Sequence, residues 1–273
     1  MGGMFQFNEL EILTFFAILV RLSVLISVAP WLGDRSIPGP VKILLSLCIA
    51  VLCFPALLSR GWVRVSDAAV WGASASGIAR VIGLEVITGL ILGFVAKLAF
   101  EAVQIGGTLV GNFMGYSSAS IYDPHIESQS QIIAQFQSAI AMLIFLVLDG
   151  HHLVLRALLE SYQTIGLGGA QLFGGTAATL IQLSGQVLKI ALILSAPIAV
   201  VIFGINVAFG MIGRALPQTN LLVLSFGVIA LGGFAVLLLS LPEFMSQVQL
   251  VFERSADWIR EVSRALAADA GGK

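Results

Sequence analysis

Charge is scarce in this sequence. Only 11% of its 273 residues are Asp, Glu, Lys or Arg, and 14 basic against 15 acidic side chains leave a formal net charge of −1. Without a basic field there is nothing to displace counterions from a phosphate backbone, which argues against a nucleic-acid partner. Cysteine is nearly absent: Cys48 and Cys53 sit in an apolar run at a spacing that fits neither a zinc site nor a redox pair, so both read as buried thiols. The histidines are His125, His151 and His152, and an adjacent pair does not present two rings on one helix face as HExxH does. No GxSxG elbow and no GxxxxGK[ST] loop occur, and the glycine-rich stretch 166–175 is not followed by a phosphate-binding lysine. These absences argue against an enzyme, and neither a metal nor another cofactor is expected. No lysine or arginine precedes the first apolar run, whereas Glu9 and Glu11 do, so that run is expected to be retained rather than cleaved as a signal.

What the sequence does have is apolar length. It is 58% hydrophobic with a mean hydropathy of +0.99, the composition of an all-α integral membrane protein. Residues 10–30 are long enough to cross a bilayer, for which roughly 20 residues are needed, residues 41–58 form a second apolar helix, and the loop between them holds Pro38 and Pro40, so the two read as a helical hairpin. Asp67 is the expected N-cap ahead of a long apolar stretch, 81–103, interrupted by Glu85, Lys97 and Glu101. Those charges either mark an ion path or, for Lys97 and Glu101 at i, i+4, pair with each other. Residues 132–148 form a shorter run with Gln131, Gln135 and Ser138 on one face, LDGHH (148–152) reads as a turn, and 153–159 as the start of a short amphipathic helix. Residues 187–212, broken by Pro197, and 221–241 make a second hairpin. Over 243–268 the residues Phe244, Val248, Val251, Ser255, Ile259, Val262 and Leu266 recur at helical spacing, giving an amphipathic helix expected to lie on the membrane surface or, given its mixed charge, on a partner.

One stretch stands apart, GTLVGNFMGYSSASIYDPH, residues 107–125. Gly107, Gly111 and Gly115 repeat every fourth residue, as Gly89 and Gly93 do earlier, and such stripes let helix backbones approach closely. For Gly89, Gly93, Gly107 and Gly111 the reading is helix packing. The stripe runs into a strip, 116–131, that lacks lysine and arginine yet is polar, and between lipid-compatible blocks it has to face water or line a cavity. The candidate plug of a pore is Met114, Gly115, Tyr116, Ser117, Ser118, Ala119, Ser120, Ile121, Tyr122, Asp123, Pro124 and His125, with a pliable methionine and small residues that allow rearrangement. Asp123-Pro124 is equally readable as an ordinary turn.

Four segments in order, RLSVLISVAPWLGDRSIPGPVK (21–42), GGTLVGNFMGYSSASIYDP (106–124), LDGHH (148–152) and GMIGRALPQTN (210–220), are similar to the FliR/SctT family of type III secretion export-gate subunits, the family of the flagellar biosynthetic protein FliR. The resemblance covers nearly the whole chain. It implies a single FliR-like membrane domain over 1–273: first hairpin, long third helix and plug in 1–131, later hairpins in 132–241, and the C-terminal amphipathic helix in 242–273. It implies long hairpins assembling into a helical hetero-oligomeric export gate in the bacterial inner membrane, at the flagellar basal body. There one copy joins five FliP and four FliQ subunits, FlhB wraps the entrance, and unfolded flagellar proteins pass through. The family's plug carries onto Met114 and the residues up to about Glu127. Some members have phenylalanine where this sequence has Ser118, so the bulk of a seal falls to Met114, Tyr116, Ile121 and Tyr122. LDGHH and the PQTN loop look flagellar rather than injectisomal. The reading kept beside this one is a self-contained small-solute transporter or channel, which calls for inverted repeats with matching broken helices; Pro197 has no obvious mate.

Overall fold

Apolar runs between proline- and glycine-rich breaks become helices because, in lipid, only a helix pairs its own backbone polar groups. The computed structural model describes residues 8–30, 37–115, 129–171, 175–215 and 221–268, and among these there is no strand. Helix α1 is Glu9–Val28, where the Asn8 N–H donates to the Glu11 carboxylate at 3.2 Å, as in the return half of a capping box. Helix α2 is Gly39–Ser59, with proline in its first turn where the missing N–H costs nothing. After a short 3-10 turn, Val65–Asp67, come α3 (Ala68–Trp71) and the long α4 (Ala75–Phe113). Then follow α5 (Gln129–Val147), α6 (Gly150–Ile165), α7 (Gly175–Ala215), α8 (Leu221–Leu239) and α9 (Leu241–Ala268).

Four helices, Glu9–Val28, Gly39–Ser59, Ala75–Phe113 and Gly175–Arg214, are long and apolar enough to cross a membrane. The bent pairs α5–α6 (68°) and α8–α9 (58°) raise that to six if each is one span. The chain is thus an all-α membrane protein. At about 1.5 Å per residue, α4 (39 residues) and α7 (41 residues) are each roughly 60 Å long, about twice a ~30 Å hydrocarbon core.

The described residues pack as two compact units. One draws on Met1–Leu98, His151–Leu183 and Arg254–Lys273. In it α1 lies on α2, with Phe15 and Phe54 edge to face at 5.7 Å, and the Gln171 N–H donates to the Leu266 carbonyl at 3.1 Å. The other draws on Ala99–Gly150 and Ser184–Glu253. It is centred partly on three rings, Phe100, Phe145 and Phe252, whose centroids are 4.7 to 5.2 Å apart.

Several elements differ from the expectations. Asp67 precedes only the four-residue α3 and makes no capping bond; α4 starts at Ala75, where the Gly77 N–H donates to Ser74 Oγ at 3.1 Å. Helix α7 begins at Gly175 rather than 187, because Thr176, Thr179 and Gln182 are polar but not helix-breaking, and Pro197 sits inside it without ending it. The DGHH step is a sharp bend, with Asp149 at φ +51°, and the helix resumes at once, so α6 is longer than expected and holds both histidines. Cys48 is exposed and Cys53 half-buried, so neither is the buried thiol expected. All seven residues of the C-terminal apolar face, from Phe244 to Leu266, are buried, so the chain itself covers the face expected to meet a membrane surface or a partner.

Candidate functional site

Between helices in lipid the hydrophobic drive is weak, so close backbone approach and polar pairing decide what stays together. The structure uses close approach in both units and buried charge pairing in one.

In the second unit the C-terminal end of α4 is held by shape. A Cβ at Gly107 would stand 2.5 Å from Ala134 Cα and 2.9 Å from Gln137 Oε1, so α5 lies directly on the bare glycine. Gln137 is buried and its Oε1 has no conventional hydrogen-bond partner, which leaves it against the Gly107 backbone. Gly111 is buried one turn further on. Met114 is 1% exposed and packs with Val110, Ile133, Ile198, Ile202, Ile229 and Leu237, residues of α4, α5, α7 and α8. Gly115 follows at φ +82°, a left-handed conformation that ends the helix and that side-chain-bearing residues rarely adopt. Of the candidate plug, then, Met114 and Gly115 are at the end of α4. Tyr116, Ser117, Ser118, Ala119, Ser120, Ile121, Tyr122, Asp123, Pro124 and His125 lie outside the described residues.

In the first unit α4 meets α1 by both devices. A Cβ at Gly89 would stand 2.8 Å from the Arg21 carbonyl oxygen, and one at Gly93 2.9 Å from Val28 Cβ, so the two glycines seat α1. Between them and the far end of α4 lies a polar node that the sequence reading did not assemble. Arg21 and Glu85 are fully buried and form a two-pronged ion pair, Nε to Oε2 and Nη2 to Oε1, the latter at 2.9 Å. Arg21 Nη2 also donates to the Gly166 carbonyl at 2.7 Å, and Nη1 to Ser161 Oγ at 3.2 Å. The Gly168 N–H donates to Glu85 Oε1 at 2.8 Å. The guanidinium lies 4.1 Å over the Tyr162 ring, whose hydroxyl donates to the Ile18 carbonyl at 3.2 Å. Gly166 and Gly168, at φ +69° and +65°, let the loop turn its backbone onto both charges.

Such a node is closed. The donors and acceptors named face one another, which is what a buried ion pair needs to offset its desolvation. Glu85 is therefore a fastening between α1, α4, α6 and the following loop rather than a station on an ion path. The available signal was that an ionisable residue inside an apolar helix needs a partner, and Arg21 is the opposite charge within α1. At the start of α6, His151 and His152 hold their rings 4.1 Å apart as neighbours on the helix.

The family model of the bacterial export proteins, family 1, matches residues 12–255. The chain is 29% identical over 269 residues to the flagellar biosynthetic protein FliR of Pectobacterium carotovorum subsp. carotovorum, covering 97% of this chain and 100% of that protein. It is 27% identical over 251 residues to the FliR of Bacillus subtilis (strain 168), covering 91% and 93%. It is also 26% identical over 222 residues to the Yop proteins translocation protein T of Yersinia pestis, covering 80% and 81%. With most of its length matched, including the helices that carry the Arg21–Glu85 node and the Gly107–Ala134 contact, the chain belongs to the bacterial export proteins, family 1, as a membrane component of a type III export apparatus.

Proposed function

We propose that this chain is a non-enzymatic, pore-forming subunit of the flagellar type III export gate, through which unfolded flagellar proteins cross the inner membrane, and that the segment beginning at Met114 closes the pore. The observation that carries this reading is the junction at Met114–Gly115. A helix held rigidly by Gly107 and by a seven-residue apolar cluster stops at a left-handed glycine. The chain then continues into a polar strip without lysine or arginine before the next apolar helix. A fixed helix end followed by small and hydroxyl-bearing residues is what a rearranging closure needs.

The partners in this reading are FliP and FliQ, with FlhB at the entrance, in the basal body. Helices about twice as long as the ~30 Å hydrocarbon core support it, because apolar surface beyond the lipid calls for protein to cover it. The surfaces of α7 and α8, where Val200, Phe203, Met211, Leu231 and Leu239 are exposed, supply apolar contact for lipid or for such neighbours. The test places a photo-crosslinking residue at Ser118 or Tyr122 in cells whose export is stalled on a substrate with a folded C-terminal block. Capture of the stalled substrate is the expected result. Capture from a control position in α1 alone would count against the reading.

A further inference from the structure

The three nearest atoms to a Cβ at Gly233 would all belong to one side chain, Met114: Cε at 2.6 Å and Cγ and Sδ at 2.9 Å each. Gly233 lies mid-way along α8, buried, with Gly232 beside it, and adjacent glycines weaken a helix unless something needs the space. Elsewhere on the same helix, Gly227 has nothing within 4 Å of its Cβ position. The space at Gly233 is therefore specific, and Met114 fills it. Met114 is also the last residue but one before the strip, and its own N–H still donates within α4, to the Val110 carbonyl at 3.0 Å. The thioether is thus the point at which α8 grips the end of α4.

We infer that Gly233 is a positioning residue for the closure: its bare Cα is the socket that seats Met114 and thereby sets where the following segment starts. The inference rests on the reading that this segment closes a pore. A β-branched residue at position 233 would occupy the volume of the Met114 side chain, and methionine, being flexible, would leave rather than force the helices apart. The fixed start of the segment would be lost while both helices stayed folded.

The test is ion conductance of the whole export complex, co-expressed with its neighbouring genes and placed in planar bilayers. Gly233→Val is expected to raise resting conductance several-fold, with Gly227→Val unchanged. Met114→Ala is expected to do the same, and the double variant to be no leakier than the worse single one, because both remove one contact; additive leaks would overturn the inference. If Gly233→Val does not assemble, the pair Met114→Cys with Gly233→Cys, in a background with Cys48 and Cys53 replaced by serine, decides. That complex is expected to be tight when the disulfide is formed and leaky when reduced, and conductance indifferent to redox state would overturn the socket. Deletion of residues 116–125 separates the two layers: if it leaks while the Gly233 variants stay tight, only the socket falls, and if it does not leak, the closure reading falls and takes the socket with it.

Discussion

The two ends of α4 are fixed in opposite ways. Toward its N-terminal end, Glu85 is tied to Arg21 by charge, with Ser161, Gly166, Gly168 and Tyr162 completing the shell. Toward its C-terminal end, Gly107 and Met114 are held by fit against Ala134, Gly233 and an aliphatic cluster. Charge pairing in a low dielectric is directional and severe when broken, so it suits a joint that stays put. Apolar fit is non-directional, so the Met114 end is held by the complementarity of its neighbours rather than by any single bond. The same helix is tied by a buried ion pair toward one end and seated by shape alone toward the other.

Breaking the charged joint is expected to have the largest effect. Glu85→Ala leaves Arg21 buried without its counter-ion, a loss of about 3–5 kcal/mol for a buried pair with one partner removed. The thermal midpoint and yield of the purified complex should fall sharply, and Arg21→Met together with Glu85→Leu should recover much of the loss. Failure of that double variant to recover would mean that the node does more than hold helices.

Next comes Gly107→Val, whose Cβ meets the Ala134 backbone first, an atom that cannot swing aside as the Gln137 side chain can. Overpacking of this kind costs about 1–3 kcal/mol, read as a lower midpoint, and the cost should exceed that of Gly106→Val, where the nearest atoms are 3.3 Å away. A smaller effect, about 0.5–1.5 kcal/mol, is expected for Tyr162→Phe, which keeps the ring under Arg21 but removes the donor to the Ile18 carbonyl. Smallest is Gly83→Ala, where a Cβ meets nothing within 4 Å. There alanine should leave the stability unchanged or raise it by up to about 1 kcal/mol through helix propensity, read as an equal or higher midpoint. A large loss at Gly83 would mean that a partner backbone lies on that face.

How much of this was legible in the sequence follows from what each feature depends on. The helices were visible because apolar length is a local property, and so were the glycine positions at 89, 93 and 107. What the glycines touch was not, since α1 and α5 could pass either side of α4. Arg21 and Glu85 were each conspicuous, but they lie 64 residues apart and their meeting depends on the register of two helices, which no spacing encodes. Helix α7 was read short because residues 175–186 are polar enough to resemble a loop, although threonine is accommodated by back-bonding, as Thr179 does to the Gly175 carbonyl at 3.0 Å. The apolar stripe of α9 was read correctly as a stripe and wrongly as available, because periodicity reports that a face is apolar and not what covers it. Gly233 drew no notice among many glycines; its meaning lies wholly in Met114, on another helix.

The central claim is that the chain carries the closure of a conducting pore, and the ion conductance of the assembled complex lacking residues 116–125 addresses it most directly. The account predicts a complex that assembles in normal amount and conducts ions at rest where the intact one does not. An assembled complex with unchanged resting conductance would contradict it.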